Sequence, residues 1–281
     1  MEIVKPAASN EVTEVEIEVE GLSKAFGEHQ VLTGIDLCIN RGDIVAIVGG
    51  SGCGKTVLLN HILGQLKPDT GHVRVADYNR PGAPLVDLAE VDAHELDAIH
   101  THWGVVFQRN ALFSGSVYAN FALWLREVRN LTDDDIEPIA RRALDAVSLP
   151  DDEEFMESDV DSLSGGMAKR LAIARALSMD PNVIFYDEPT TGLDPTSAAQ
   201  VQDLIFETHV GDNPDHPKRT TLIITHDKDL LVRLEPRVVM LHEGLVHFDG
   251  PYSEFEAAPS PVIRPYFDLM PTLHQRVRAA G

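Results

Sequence analysis

The chain has 281 residues, of which 43% are hydrophobic and 24% charged, values close to those of soluble globular proteins and far from disordered or fibrous ones. Its formal charge of −22 argues against general nucleic-acid binding, which needs clustered Lys and Arg against phosphates. No apolar run approaches the roughly 20 residues of a membrane-spanning helix. Two cysteines, Cys38 and Cys53, are too few for a disulfide scaffold and are expected to be free thiols.

In chain order, residues 1–13 are expected to be a flexible leader. Met1 to Asn10 lacks a basic start followed by an apolar stretch, so no secretion signal is predicted and a cytoplasmic location is expected. Val15, Ile17 and Val19 alternate with Glu14, Glu16, Glu18 and Glu20, which predicts a half-solvated edge strand. Val31 to Ile39 repeats the strand pattern, and Ile44 to Val48 is a continuous apolar strand expected to be buried on both faces. A glycine-rich loop follows, Gly49-Gly50-Ser51-Gly52-Cys53-Gly54-Lys55-Thr56. After it, Val57, Leu58, Leu59, Ile62 and Leu63 have helical spacing that ends near Gly64. This strand, loop and helix provide the context in which the pattern reads as a phosphate-binding P-loop. Glycines let the backbone N–H groups converge on phosphate oxygens while the helix N-terminus adds a fixed positive end. Lys55 would then hold the β and γ phosphates, and Thr56 would give its hydroxyl to Mg²⁺.

Further on, Val105 to Phe107, Val183 to Tyr186 and Leu222 to Thr225 are short apolar runs that lead into Gln108, Asp187 and His226. Polar residues gathered after parallel strands mark a ligand edge. Asp187 suits the magnesium shell, and Glu188 beside it suits the general base that activates water. Between Ala111 and Ser162 the pattern turns helical, Val117 to Glu127 and then Asp135 to Ser148, which predicts an inserted helical subdomain over about 111–165. The acidic clusters Asp133 to Asp135 and Asp151 to Glu154 read as solvated faces near helix starts. Leu163-Ser164-Gly165-Gly166-Met167 opens an Ala-rich helix running to about Leu177. Ser-Gly-Gly at such a start is either an anion site or an ordinary N-cap. The last stretch, Pro251 to Gly281, is Pro-punctuated, holds one or two short helices, and is basic at Arg264, Arg276 and Arg278.

Taken together and in this order, the P-loop, Gln108, Leu163 to Met167, Asp187-Glu188, Gly192-Leu193-Asp194 and His226 resemble the ABC ATPase family over roughly residues 15 to 250. The resemblance implies an α/β fold, a P-loop NTPase (RecA-like) parallel-sheet core with an antiparallel β edge and an inserted α-helical subdomain. It divides the chain into a leader (1–13), an ATPase domain (14–250) and a C-terminal extension (251–281). It implies ATP and Mg²⁺ as cofactors. Gly49, Gly50, Ser51, Gly52, Cys53, Gly54, Lys55, Thr56 and Val57 would line the phosphates, Phe26 would stack on adenine, and Thr56, Gln108 and Asp187 would serve the metal. His226 would contact the γ-phosphate and position the water that Glu188 activates. Two copies would sandwich two ATP molecules, each P-loop facing Ser164, Gly165 and Gly166 of the other copy, with Asp194 at the junction. Phe26 in place of the commoner Tyr, and Met167 in place of the usual Gln, are departures that leave the phosphate-facing groups intact.

Within that family, Leu163 to Met167, the run Phe107 to Phe113, Tyr118 to Ala122 and Leu125 to Glu127 resemble the Mla-type subfamily. The tail from Ala258 to Phe267 is similar as well. That likeness implies phospholipid transport between membranes, with permease subunits, an MCE-domain lipid-binding protein and a peripheral place on the cytoplasmic face of the inner membrane. The alternatives are an ABC ATPase serving another solute and a soluble ABC ATPase of DNA repair or translation. No long coiled-coil insertion separates Lys55 from Asp187, which disfavours the latter. The tail is expected to dock on the neighbouring ATPase subunit.

Overall fold

A computed structural model describes residues 14–210 and 218–270. The predicted leader and the basic end with Arg276 and Arg278 lie outside the described residues. The strands are β1 (Val15–Phe26), β2 (His29–Asn40), β3 (Ile44–Val48), β4 (Thr70–Ala76), β5 (Leu85–Asp87), β6 (Trp103–Val106), β7 (Val183–Asp187), β8 (Thr220–Ile224), β9 (Arg237–His242) and β10 (Leu245–Pro251). The helices begin with α1 (Lys55–Ile62), α2 (Ala93–His100), α3 (Val117–Arg129), α4 (Asp133–Ala146) and α5 (Glu153–Glu157). They continue with α6 (Gly165–Leu177), α7 (Pro195–Val210), α8 (Lys228–Leu234), α9 (Tyr252–Ala257) and α10 (Ile263–Leu269).

Among the described residues, 14–91 with 235–270 form one compact unit, and 92–210 with 218–234 a second. In the first, β1 lies inside an antiparallel sheet of order β2-β1-β4-β5, with Val19 opposite Leu37 on one side and Val73 on the other. Val19, Leu37 and Val73 are all buried. β1 is therefore not the edge strand that its alternating pattern predicts. Glu16 is not solvated either: it is buried, and its carboxylate accepts the Tyr78 hydroxyl at 2.5 Å with the Arg41 guanidinium 3.7 Å away. A buried carboxylate is tolerated where donors and an opposite charge meet it. β3, buried along Val45 to Val48, runs parallel to β9, which pairs antiparallel with β10. The tail of this unit folds as two short helices, α9 and α10, and packs on the unit itself through Tyr252, Phe255, Ile263 and Phe267.

In the second unit β6, β7 and β8 run parallel, Val105 beside Phe185 and Phe185 beside Leu222. The β-branched and aromatic residues of these strands are buried almost throughout, as a strand covered on both faces requires. Helices α3 and α4 fall close to the predicted stretches. Ser116 caps α3 by accepting the Ala119 N–H at 3.1 Å, and Asn130 ends it in a left-handed conformation, φ 53. The acidic clusters lie at helix starts as expected: Asp133 to Asp135 form the first turn of α4, and Asp152 caps α5 through the Phe155 N–H at 2.9 Å. Both cysteines are free, Cys38 exposed and Cys53 partly so.

Candidate functional site

The glycine-rich loop leaves the buried end of β3 and enters α1. Gly49 has φ 149, and a Cβ there would sit 2.4 Å from the Leu241 carbonyl oxygen and 2.6 Å from the Cys53 Sγ, so only glycine fits. Gly54 caps α1 from a left-handed conformation and, being glycine, brings no side chain to the first-turn N–H groups, and no acidic residue lies in that turn. The donors and the positive helix end are thus left for an outside anion, which suits them to a phosphate. The Lys55 ammonium donates to the carbonyls of Gly49 at 2.7 Å and Gly50 at 3.1 Å, folding back over the loop. Ser51, Gly52 and Thr56 are exposed. In the same unit Phe26, at the end of β1, presents a ring 49% exposed with the Lys24 ammonium 5.7 Å from its centre. That ring is available to stack.

In the second unit β7 delivers Asp187 and then Glu188. Glu188 adopts φ 49, uncommon for a residue with a side chain, and its N–H donates to the Ile224 carbonyl at the end of β8 at 2.9 Å. This ties two strand ends together, so that the His226 Nδ1 lies 2.7 Å from Glu188 Oε2, which also accepts the Thr191 hydroxyl at 3.2 Å. A carboxylate and an imidazole in direct contact, the imidazole 47% exposed, form a pair that can take and pass a proton. Behind His226, Asp227 is buried and accepts from Thr190 and Gln202, each at 2.8 Å, and from the N–H of Asp229 at 2.9 Å. Asp227 thereby holds the histidine's loop against the loop after Glu188.

Ser164 is the N-cap of α6, its hydroxyl accepting the Met167 N–H at 3.3 Å, and both Ser164 and Gly165 are exposed. Gly166 is buried against α7. Asp194 is exposed and caps α7, accepting the N–H groups of Thr196 at 3.0 Å and Ser197 at 3.1 Å. Hydrogen bonds from the Ser197 side chain and its N–H hold the Asp194 carboxyl below the usual carboxylate range.

Three basic residues of α6 were not singled out by the sequence pattern. Lys169 is 1% exposed, and its ammonium donates to the carbonyls of Phe107 at 3.0 Å and Gln108 at 2.9 Å, fixing the backbone from which the exposed Gln108 side chain projects. Burial pushes its pKa down to about 8, against an opposing pull from Asp187. Arg170 donates to the carbonyls of Ser148 at 2.7 Å and Val147 at 3.3 Å. Arg175 donates to Ala111 at 2.9 Å and lies over the Phe113 ring. A lysine in an Ala-rich helix reads as a solvated residue, and its i, i+4 neighbours give no sign of the carbonyls waiting opposite.

The family model described as "ABC transporter" matches residues 32–191. Protein TRIGALACTOSYLDIACYLGLYCEROL 3, chloroplastic, of Arabidopsis thaliana is 34% identical over 266 residues, 90% of this chain and 74% of that one. Histidine transport ATP-binding protein HisP of Pseudomonas aeruginosa is 34% identical over 247 residues, 86% and 93% of the two chains. Intermembrane phospholipid transport system ATP-binding protein MlaF of Haemophilus influenzae is 33% identical over 235 residues, 83% of each. Among solved structures, cbiO1 from Clostridium perfringens, part of the ABC transporter complex cbiONQ, superposes with a TM-score of 0.72 at 30% identity, covering 87% of this chain and 92% of that one. The dimeric, post-hydrolysis ATP-binding cassette MJ0796 bound to ADP and Pi gives 0.70 at 28% identity, covering 84% and 98%.

The fold is thus that of a P-loop NTPase, α/β with parallel strands in both units and an antiparallel sheet. The chain belongs to the ABC transporter family, as an ATP-binding subunit that hydrolyses ATP.

Proposed function

We propose that the chain couples ATP-driven dimerisation to the movement of phospholipid between membranes. It would sit at the cytoplasmic face of the inner membrane, bound to permease subunits, in a complex with an MCE-domain lipid-binding protein. The observation that carries the phospholipid reading is the 33% identity to the H. influenzae intermembrane phospholipid transport ATP-binding protein over 83% of both chains. The runs 107–113 and 118–122 support it by their resemblance to the Mla-type subfamily; Asn120 joins one to the other, its amide accepting the Phe113 N–H at 2.8 Å and donating to the Phe113 carbonyl at 2.9 Å. Phe113, Leu123 and Trp124, all 40% exposed or more, give this region an apolar surface suited to a membrane subunit.

In this reading the loop from Gly49 to Val57 holds the triphosphate through its N–H groups and Lys55. Thr56, Gln108 and Asp187 offer Mg²⁺ only oxygen donors, the set a small hard cation prefers. Bound there, the ion would neutralise developing charge on the phosphates. Glu188 takes a proton from the attacking water while His226, in contact with it, holds the carboxylate in place. Phe26 stacks on the adenine. Ser164, Gly165 and Gly166 meet the nucleotide held by a second copy, with Asp194 at the junction. Hydrolysis removes the γ-phosphate that joins the copies, which is the switch.

The similarity to the P. aeruginosa histidine transport protein, 34% over 86% of this chain, favours a second reading, an ATPase for another solute. Purification of the chain from its own membranes in mild detergent, followed by mass spectrometry of proteins and lipids, separates the two. Co-purification of a permease, an MCE-domain protein and phospholipid is expected. A permease with a soluble solute-binding protein and no phospholipid would select the second reading.

A further inference from the structure

The tail helix α10 reaches the phosphate loop. The Gly49 N–H, at the point where β3 gives way to the loop, donates to the Tyr266 hydroxyl at 3.0 Å across 217 positions of sequence. That hydroxyl is delivered by a built support. Phe255 stands edge-on to Phe267 at 5.8 Å and 5.3 Å from Phe248, with Tyr252 6.4 Å from Phe267. The Arg264 guanidinium covers the Phe267 ring at 5.0 Å. The Ser260 hydroxyl receives the N–H groups of Val262 and Ile263 at 3.2 and 3.3 Å, which sets the direction of α10, and it lies 3.1 Å from His247 on β10. Ile263 and Phe267 are buried, as is Met270 just past the helix, so the face of α10 that carries Ile263 and Phe267 is fixed and Tyr266 has little freedom to turn away.

Gly49 is then held from both sides: its N–H by Tyr266 and its carbonyl by the Lys55 ammonium at 2.7 Å. It is also the position where no side chain fits and φ is 149. A glycine turning between two peptide planes is the loop's most pliable point, and a hydrogen bond there restricts the entry plane while Lys55 restricts the next. We propose that Tyr266 is a positioning residue for nucleotide binding, holding the first peptide of the phosphate loop so that the N–H groups beyond it converge on phosphate. The inference rests on the phosphate-loop reading above.

The test is Mg-ATP titration and steady-state hydrolysis on the full chain, comparing the unaltered protein, Tyr266→Phe and Tyr252→Phe. The second variant removes a hydroxyl of the same aromatic cluster that bonds Glu256 at 3.3 Å. For Tyr266→Phe an affinity loss of about 5- to 10-fold is expected, the effect of one backbone hydrogen bond. KM should rise by a similar factor and kcat stay within about twofold, as expected when binding rather than the chemical step loses an interaction. Tyr252→Phe should bind as the unaltered protein does. A purely structural role would instead reduce the active fraction, lowering kcat with KM unchanged, and that outcome overturns the proposal. So does Tyr266→Phe binding within about twofold of the unaltered protein, or an equal loss in Tyr252→Phe, which would assign the effect to general packing of the tail. If the unaltered protein bound no Mg-ATP, the phosphate-loop reading would fail and the tail inference with it. Failure of Tyr266→Phe alone removes only the latter.

Discussion

Replacing Lys169 by Met tests how the backbone before Gln108 is held. The side chains are close in volume, so no cavity opens, but two hydrogen bonds disappear, to Phe107 at 3.0 Å and Gln108 at 2.9 Å. Each charge-assisted bond is worth about 1.5–3 kcal/mol. Opposing them is the burial that lowers the lysine pKa from 10.5 to about 8, roughly 3 kcal/mol against the charged form. The two nearly cancel, leaving a net loss of about 0–3 kcal/mol and a fall in Tm of no more than about 10 °C. The functional effect should be larger than the thermodynamic one. With two carbonyls left without donors, the 107–108 backbone must turn to find water, and Gln108 loses its fixed exit. A misplacement of about 1 Å in a catalytic site lowers rates by on the order of 100-fold. We therefore expect kcat to fall at least tenfold while Mg-ATP affinity, which the proposed function assigns chiefly to the phosphate loop, stays within about threefold. Phosphate release against ATP concentration, nucleotide titration and thermal unfolding supply the three numbers. A folded Lys169→Met protein hydrolysing ATP at the original rate would refute the reasoning, and so would a rate loss matched by an equal affinity loss.

Lys55→Ala should abolish ATP binding, whereas Glu188→Gln should bind ATP, hydrolyse it about 10²–10⁴-fold more slowly and accumulate as a dimer by size-exclusion chromatography. Normal turnover by the latter would show that another group is the base. Gly166→Ala places a Cβ 2.7 Å from that of Ser197 and 2.4 Å from its Oγ, an overlap of α6 with α7 that should destabilise by about 1–3 kcal/mol in denaturant unfolding. Adding Ser197→Gly should recover most of that loss, less the roughly 0.5–1 kcal/mol that glycine costs in a helix. Burial holds the His61 pKa below its usual 6.5, with Nδ1 2.7 Å from the Val57 carbonyl oxygen. The unfolded chain therefore takes up the proton first, and stability should decline as pH falls below about 6.5. His61→Leu should flatten that slope in urea titrations between neutral and mildly acid pH.

Much of the local structure of the candidate site was legible because its signals are local. Gly49 to Thr56 carries its strand, loop and helix within a score of residues, and Ser164 announces a helix start by the residue type alone. Pairings across long separations were not legible. The pattern of β1 reads as a solvated edge because its period is two, yet β4 and β2 flank it, and the partners that draw Glu16 inward, Tyr78 and Arg41, lie 62 and 25 positions away. β9 runs beside β3 with Ile47 opposite Val239, and nothing within either strand states that register. Lys169 and Tyr266 escaped for the same reason: each acts on backbone atoms, which carry no residue identity for a sequence pattern to register.

Ser164 caps the start of its own helix by accepting the Met167 N–H. That contact occupies a lone pair of the oxygen and leaves the hydroxyl hydrogen to be given elsewhere. One atom group can then serve the chain that contains it and a molecule arriving from outside, without either duty displacing the other. In the proposed dimer, the exposed start of α6 would meet the nucleotide of the second copy with no rearrangement of the backbone behind it.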